Sequence, residues 1–189
     1  MTSPVLFLAA ALTILSMPGP TNTLLASAAS ISGTRASLAL LLAELGGYLL
    51  TICLVGFALR PVLADYPAVA ITLKIAVAVY LVYASYRIWT AAGNLARAHA
   101  AVSLCDMFVA TVLNPKGLVL ALAIVPFGSP AIGWYLLVFS CLAAGSGLLW
   151  LLIGETLGRL AGGRRRLVPR TGSLVLVGFA IFIAASAVG

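Results

Sequence analysis

Two long apolar stretches of this chain are each broken in the middle by proline. The first reads Ser16-Met17-Pro18-Gly19-Pro20-Thr21-Asn22; the second, in the other half of the chain, reads Leu113-Asn114-Pro115-Lys116-Gly117. Proline has no backbone donor and its ring collides with the preceding turn, so each break frees peptide groups that hydrocarbon cannot satisfy. Such groups must face protein, water or a ligand. Paired interruptions in the two halves of a membrane protein point to a transport site where the halves meet.

Composition identifies the solvent as lipid. Hydrophobic residues make up 63% of the 189, charged residues only 8%, and the mean hydropathy is +1.18, where an average soluble domain is roughly 25% charged. A helix needs about 20 apolar residues to cross the hydrocarbon core. Six segments qualify: 4–30, 37–59, 67–90, 104–126, 131–156 and 170–188, the first and fourth broken. The reading is an all-α integral membrane protein, a single transmembrane domain over residues 1–189. The apolar run 5–15 has no basic residue ahead of it and apolar character resumes after Pro20, so it reads as a retained first span and not as a signal peptide. Cys53, Cys105 and Cys141 are isolated and predict packing residues, with neither a disulfide framework nor a thiolate cage.

Basic residues give the orientation, because lysine and arginine stay preferentially in the cytoplasm. The connections after spans one, three and five carry Arg35, Arg87, Arg97, Arg159, Arg164, Arg165, Arg166 and Arg170; those after spans two and four carry only Arg60. Both termini are therefore expected outside. The net charge of +7 is mostly this topology signal. The Arg164 to Arg166 cluster is too short for a nucleic-acid surface and fits anionic lipid better. Six spans then divide into two inverted three-helix repeats, about 1–92 and 104–189. Each repeat begins with its broken helix, and the breaks fall near the bilayer midplane at about 1.5 Å per residue.

The candidate site follows. A helix restarting after Pro20 or Pro115 offers amide donors and a positive dipole end to an anion such as a carboxylate, which brings in Gly19, Thr21, Asn22 and Asn114 as well as the prolines. The competing reading is that Pro18, Pro20 and Pro115 merely kink the helices. Lys116, a cation near the midplane, is a functional candidate by default. It either meets a substrate carboxylate or neutralises Glu44, the one acidic residue well inside a span, which in turn could take a substrate ammonium or a coupled proton. A purely structural Glu44–Lys116 pair is the alternative. Asp106 and Lys74 are accessory candidates; snorkelling or pairing with loop arginines is the favoured reading of Asp106 over a place on the proton or substrate path, and interfacial anchoring is the alternative for Lys74. Gly154, Gly158 and Gly162 have the spacing of a close helix contact, and Gly46, Gly47, Gly145 and Gly147 could instead leave room beside the site; neither assignment is specific. No metal-ligand spacing and no nucleophile–base constellation is present, so neither a metal site nor an enzyme is expected, and no cofactor.

Several motifs in order resemble the lysine exporter (LysE/RhtB) family: the Met17-Pro18-Gly19-Pro20 break, Leu73-Lys74 through Tyr80-Leu81, and Asn114-Pro115-Lys116 followed by Pro126-Phe127. Arg170-Thr171-Gly172, leading into a last span with Gly178, completes the series. The resemblance implies a six-span, multi-pass inner-membrane protein that exports amino acids under the proton gradient and associates as homo-oligomers. Glu44-Leu45-Gly46-Gly47 and Phe127-Gly128 depart from the family pattern and leave the substrate open. The expected function is thus secondary export of an amino acid or similar zwitterion, the alternative being export of a metal or other inorganic ion on the same architecture.

Overall fold

The computed structural model describes residues 3–59, 67–91, 102–162 and 167–188. His99, Arg60, Arg97 and the Arg164 to Arg166 cluster lie outside these. Every regular element among the described residues is helical. The first broken stretch is α1 (Pro4–Ser16) and α2 (Pro20–Ser32), bent by 55°. A short α3 (Thr34–Ser37) leads into α4 (Ala39–Cys53), which continues as a π-helical turn, Leu54–Leu59. After α5 (Pro67–Ala91) comes the second broken stretch: α6 (Leu104–Val112), α7 (Pro115–Val119) and a second π-helical turn, Leu120–Ile124, bent by 44°. The chain ends in α8 (Ile132–Leu160) and α9 (Leu167–Val188).

Among the described residues three helices are long and apolar enough to cross a membrane, Thr34–Ala58, Ile132–Leu160 and Leu167–Ala185, or up to five if each bent pair is one span. That is the mark of a membrane-spanning protein, and large apolar side chains such as Val5, Leu42 and Phe182 accordingly face outward. Cys105 and Cys141 also face outward, and Cys53 is only half-buried, which corrects the expectation that all three are core residues.

Local chemistry accounts for the helix ends. Proline opens α1, α2 and α7, where its fixed φ suits the helix and its missing N–H has no partner to lose. Ser103 and Asp106 form a reciprocal cap at the start of α6. Gly33, at φ +82°, makes the turn from α2 into α3, a conformation other residues resist. The Thr34 N–H just beyond donates to Glu155 Oε2 of α8 at 2.9 Å, and Glu155 Oε1 takes Arg159 at 2.5 Å.

Lipid tails are as apolar as leucine, so helices in a membrane associate through close fit and not through hydrophobic burial. Here α2 and α8 supply that fit. Gly154 and Gly158 lie directly on the backbone of Ala26 and Ser30, where a Cβ would overlap main-chain atoms. Gly162 belongs to the turn after α8 instead, at φ +52°.

Two apolar cores result. One gathers α1, the second half of α4, the π-turn after α7 and the first half of α8, through Phe7, Ala11, Ile52, Leu120 and Phe139. The other gathers α2, α5, α6, α9 and the later part of α8, through Leu25, Leu81, Met107, Leu151 and Leu176. At its break the first stretch passes from the α1 core to the α2 core; at its own break the second passes the opposite way. Both breaks therefore lie in the layer between the cores.

Candidate functional site

That layer is polar and it joins the breaks directly. Asn114 Nδ2 donates to Thr21 Oγ1 and to Tyr48 Oη, each at 3.2 Å, and the two hydroxyl oxygens are 3.3 Å apart. The triangle ties the second break to the first turn of α2 and to the middle of α4. None of the three residues is more than 1% exposed. Buried polar groups of this kind persist only when hydrogen-bonded, because an unmet donor or acceptor costs about 1–3 kcal/mol.

Glu44 sits one turn before Tyr48 on the same face of α4, its carboxyl against the Thr21 hydroxyl. It fits because Gly147 of α8 has no side chain: a Cβ there would lie 2.7 Å from Glu44 Oε2 and 2.6 Å from Leu41 Cδ2. Gly47 makes the same kind of room for Thr111, whose Cβ would be 2.7 Å from an added Cβ. Gly46 is less crowded, and Gly145 has open space around it. Thr51, one turn further along α4, donates to the Val112 carbonyl at 3.0 Å, taking up an acceptor that the second break frees.

At the first break the freed groups are met from elsewhere. Asn22 Nδ2 reaches back to the Leu15 carbonyl at 2.9 Å and the Met17 carbonyl at 2.8 Å, while Ser146 of α8 donates to Leu15 at 3.0 Å. Lys116, crossing from the second break, donates its ammonium to the Met17 carbonyl. The restart of α2 is different again: its N-cap is Gly19, which has no side chain to offer, so no side-chain cap forms. The Thr21 and Asn22 amides, in the first turn, precede the start of intrahelical bonding. The first break thus presents a negative pole at the end of α1 and a positive pole at the start of α2, both from the helix dipoles.

The second break departs from expectation. Asn114 Oδ1 accepts from the Lys116 N–H at 3.0 Å and the Asn114 carbonyl from the Gly117 N–H at 2.9 Å. The amides following Pro115 are spoken for by their own cap, and α7 is a single short turn, so no second anion site forms there.

Of the residues singled out in the sequence, Gly19, Pro20, Thr21, Asn22, Glu44, Asn114, Pro115 and Lys116 are brought together. Met17 and Pro18 lie at the exposed edge of the cluster. Lys116 and Glu44 form no ion pair; among the described residues the bridges are Arg87–Asp106 and Arg159–Glu155. Asp106 stands apart from the cluster. One of its oxygens accepts from the Ser103 N–H and Oγ–H, and the other takes Arg87 at 2.5 Å. The Lys74 side chain lies outside the described residues. Tyr48, Thr51, Thr111 and Ser146 belong to the site without having been singled out. The signal for two of them was available, since Glu44, Tyr48 and Thr51 recur at helical spacing along an otherwise apolar segment.

Cavities flank the polar layer at opposite ends. One of about 280 Å³ is lined by Ala28, Ser32, Ser37 and Leu40 with Val102 and Leu104. The other, of about 890 Å³, is lined by Ser3, Pro4, Pro126, Ser129, Pro130 and Tyr135. Among the described residues no group of three or more His, Cys, Asp or Glu is arranged to hold a metal. No protein-family model, curated protein or solved structure matches this chain.

Proposed function

We propose that this protein is a secondary transporter that exports amino acids or similar zwitterionic metabolites from the cytoplasm, coupled to the proton gradient, as the resemblance to the lysine exporter family implies. In this reading it is a six-span protein of the inner membrane built from two inverted three-helix repeats, with both termini outside. Association into homo-oligomers is part of the same reading. The observation that carries it is the meeting of the two proline breaks in one buried polar layer between two apolar cores. A zwitterion matches the first break, where ammonium suits the carbonyl end of α1 and carboxylate the amide end of α2. Alternating access would then open the layer in turn to the cavities at its two ends.

Counterflow in proteoliposomes tests this. Vesicles loaded with each common amino acid in turn should accumulate the same labelled amino acid for at least one of the panel, and an imposed proton gradient should alter the rate. Accumulation driven only by divalent metals would replace the amino acid by an inorganic ion. Reporter fusions at Gly189 test the topology, which requires that this end lie outside.

A further inference from the structure

We infer that the ammonium of Lys116 is a tethered stand-in for the ammonium of the transported molecule: it fills the cation position at the carbonyl end of α1 and is displaced when a primary ammonium compound binds there. The inference rests on the transport reading above and deepens it by assigning the amine position.

Three observations converge on it. First, the Leu15 and Met17 carbonyls at the end of α1 each draw donors from elsewhere in the fold. Asn22 commits both amide protons, one to Leu15 and one to Met17, and Ser146 adds a second donor to Leu15. The Met17 carbonyl takes a second donor of its own, the Lys116 ammonium. A helix C-terminus carries about half a negative charge, so a cation is what this position takes.

Second, the lysine reaches the carbonyl by lying across Gly19. A Cβ there would stand 2.7 Å from Lys116 Cε and 2.9 Å from Nζ, so the lysine tip occupies the space that a side chain at residue 19 would take. Third, the ammonium sits on a neutral carbonyl although Glu44 is close enough to attract it. An ammonium on a flexible four-carbon stem with a single neutral partner is easily exchanged. A substrate ammonium arriving at Met17 releases one of the same chemistry, and the released lysine has Glu44 to move toward. The polar layer keeps one ammonium at Met17 throughout.

This assignment reverses the sign of the lysine's effect. A carboxylate ligand raises affinity, whereas a stand-in competes and lowers it. The test is equilibrium binding to the full chain in nanodiscs, first with the twenty common amino acids, then with the best binder, its decarboxylated amine and its deaminated acid. Two variants are compared with wild type. K116M removes the competitor. G19A keeps the charge but crowds its path; residue 19 has extended backbone, φ −166°, open to any residue, and the added Cβ meets the mobile tip of the lysine. Both variants should bind the amino acid and the amine more tightly, by about tenfold for one charge-assisted contact no longer opposed, a gain that the deaminated acid, which has no ammonium, should not share in full. Weaker amino-acid binding by K116M with the amine unaffected would make Lys116 a carboxylate ligand, and unchanged affinities in both variants would make it a bystander. Either result overturns the inference while leaving an amino-acid transporter in place. Absence of binding in all three proteins would overturn the transport reading and the inference with it.

Discussion

At the second break Asn114 itself caps the restart of α7, and Thr51 of α4 takes the Val112 carbonyl. At the first break Gly19 has nothing to offer, and the carbonyls of Leu15 and Met17 are met by Asn22 from beyond the bend, by Ser146 of α8 and by Lys116 of the second break. Both breaks come from proline in an apolar run, yet one becomes a strut and the other a polarised opening. The difference is made by the residue at the N-cap. An asparagine closes the helix start with its own side chain; a glycine leaves that start to whatever else can reach it. A broken helix is therefore not in itself a binding site. It becomes one where its polar groups are left for others to satisfy.

The sharpest way to break this comparison is to repair each bend. Pro18→Ala with Pro20→Ala should abolish counterflow in a protein that still inserts and folds. Pro115→Ala should leave part of it, because the Asn114 cap and the Asn114 triangle do not depend on proline. Equal loss from both repairs would make the breaks equivalent after all.

Stability separates strut from opening next. Asn114→Ala loses a cap worth about 0.5–2 kcal/mol and two interhelical bonds of about 0.6 kcal/mol each, a total of roughly 2–3 kcal/mol in thermal or denaturant unfolding in detergent. Asn22→Ala loses two bonds of the same size, about 1 kcal/mol, and leaves Leu15 and Met17 each with another donor. A larger loss for Asn22→Ala would mean that the first break carries the structural load.

Among the described residues the titratable groups that act on Glu44 or feel it are Lys116 and Tyr48, and Glu44→Gln should flatten the dependence of export on external pH while export itself persists. An unchanged pH profile would remove Glu44 from the coupling path. The smallest expected effect is that of Thr51→Val, which deletes one donor to Val112. It should cost about 0.6 kcal/mol and leave counterflow intact; a collapse of transport would show that the second break, too, works as an opening.

Much of this was legible in the sequence. Pro18, Pro20 and Pro115 mark their breaks because proline acts on its own turn, and the apolar lengths outlined the helices to within a few residues. Glu44 and Lys116 stood out because charge in an apolar run is costly wherever the helix ends up. Gly154 and Gly158 announced a close contact by spacing alone, though not that α2 would be the partner. Tyr48 and Thr51 showed only in their helical spacing from Glu44; Thr111 and Ser146 did not stand out, since hydroxyl side chains are unremarkable in such helices until a neighbour is known.

The sequence by itself thus determined where the helices run, where they break and which charges lie inside, because these follow from each residue's own backbone and its cost in lipid. Only the tertiary structure decided that Asn114 would seal one break while reaching across 93 residues to Thr21 at the other, and that Lys116 would settle on Met17 and not on Glu44. Hydrogen-bond partners are chosen over about 3 Å, and distances of that kind exist only once the helices have packed.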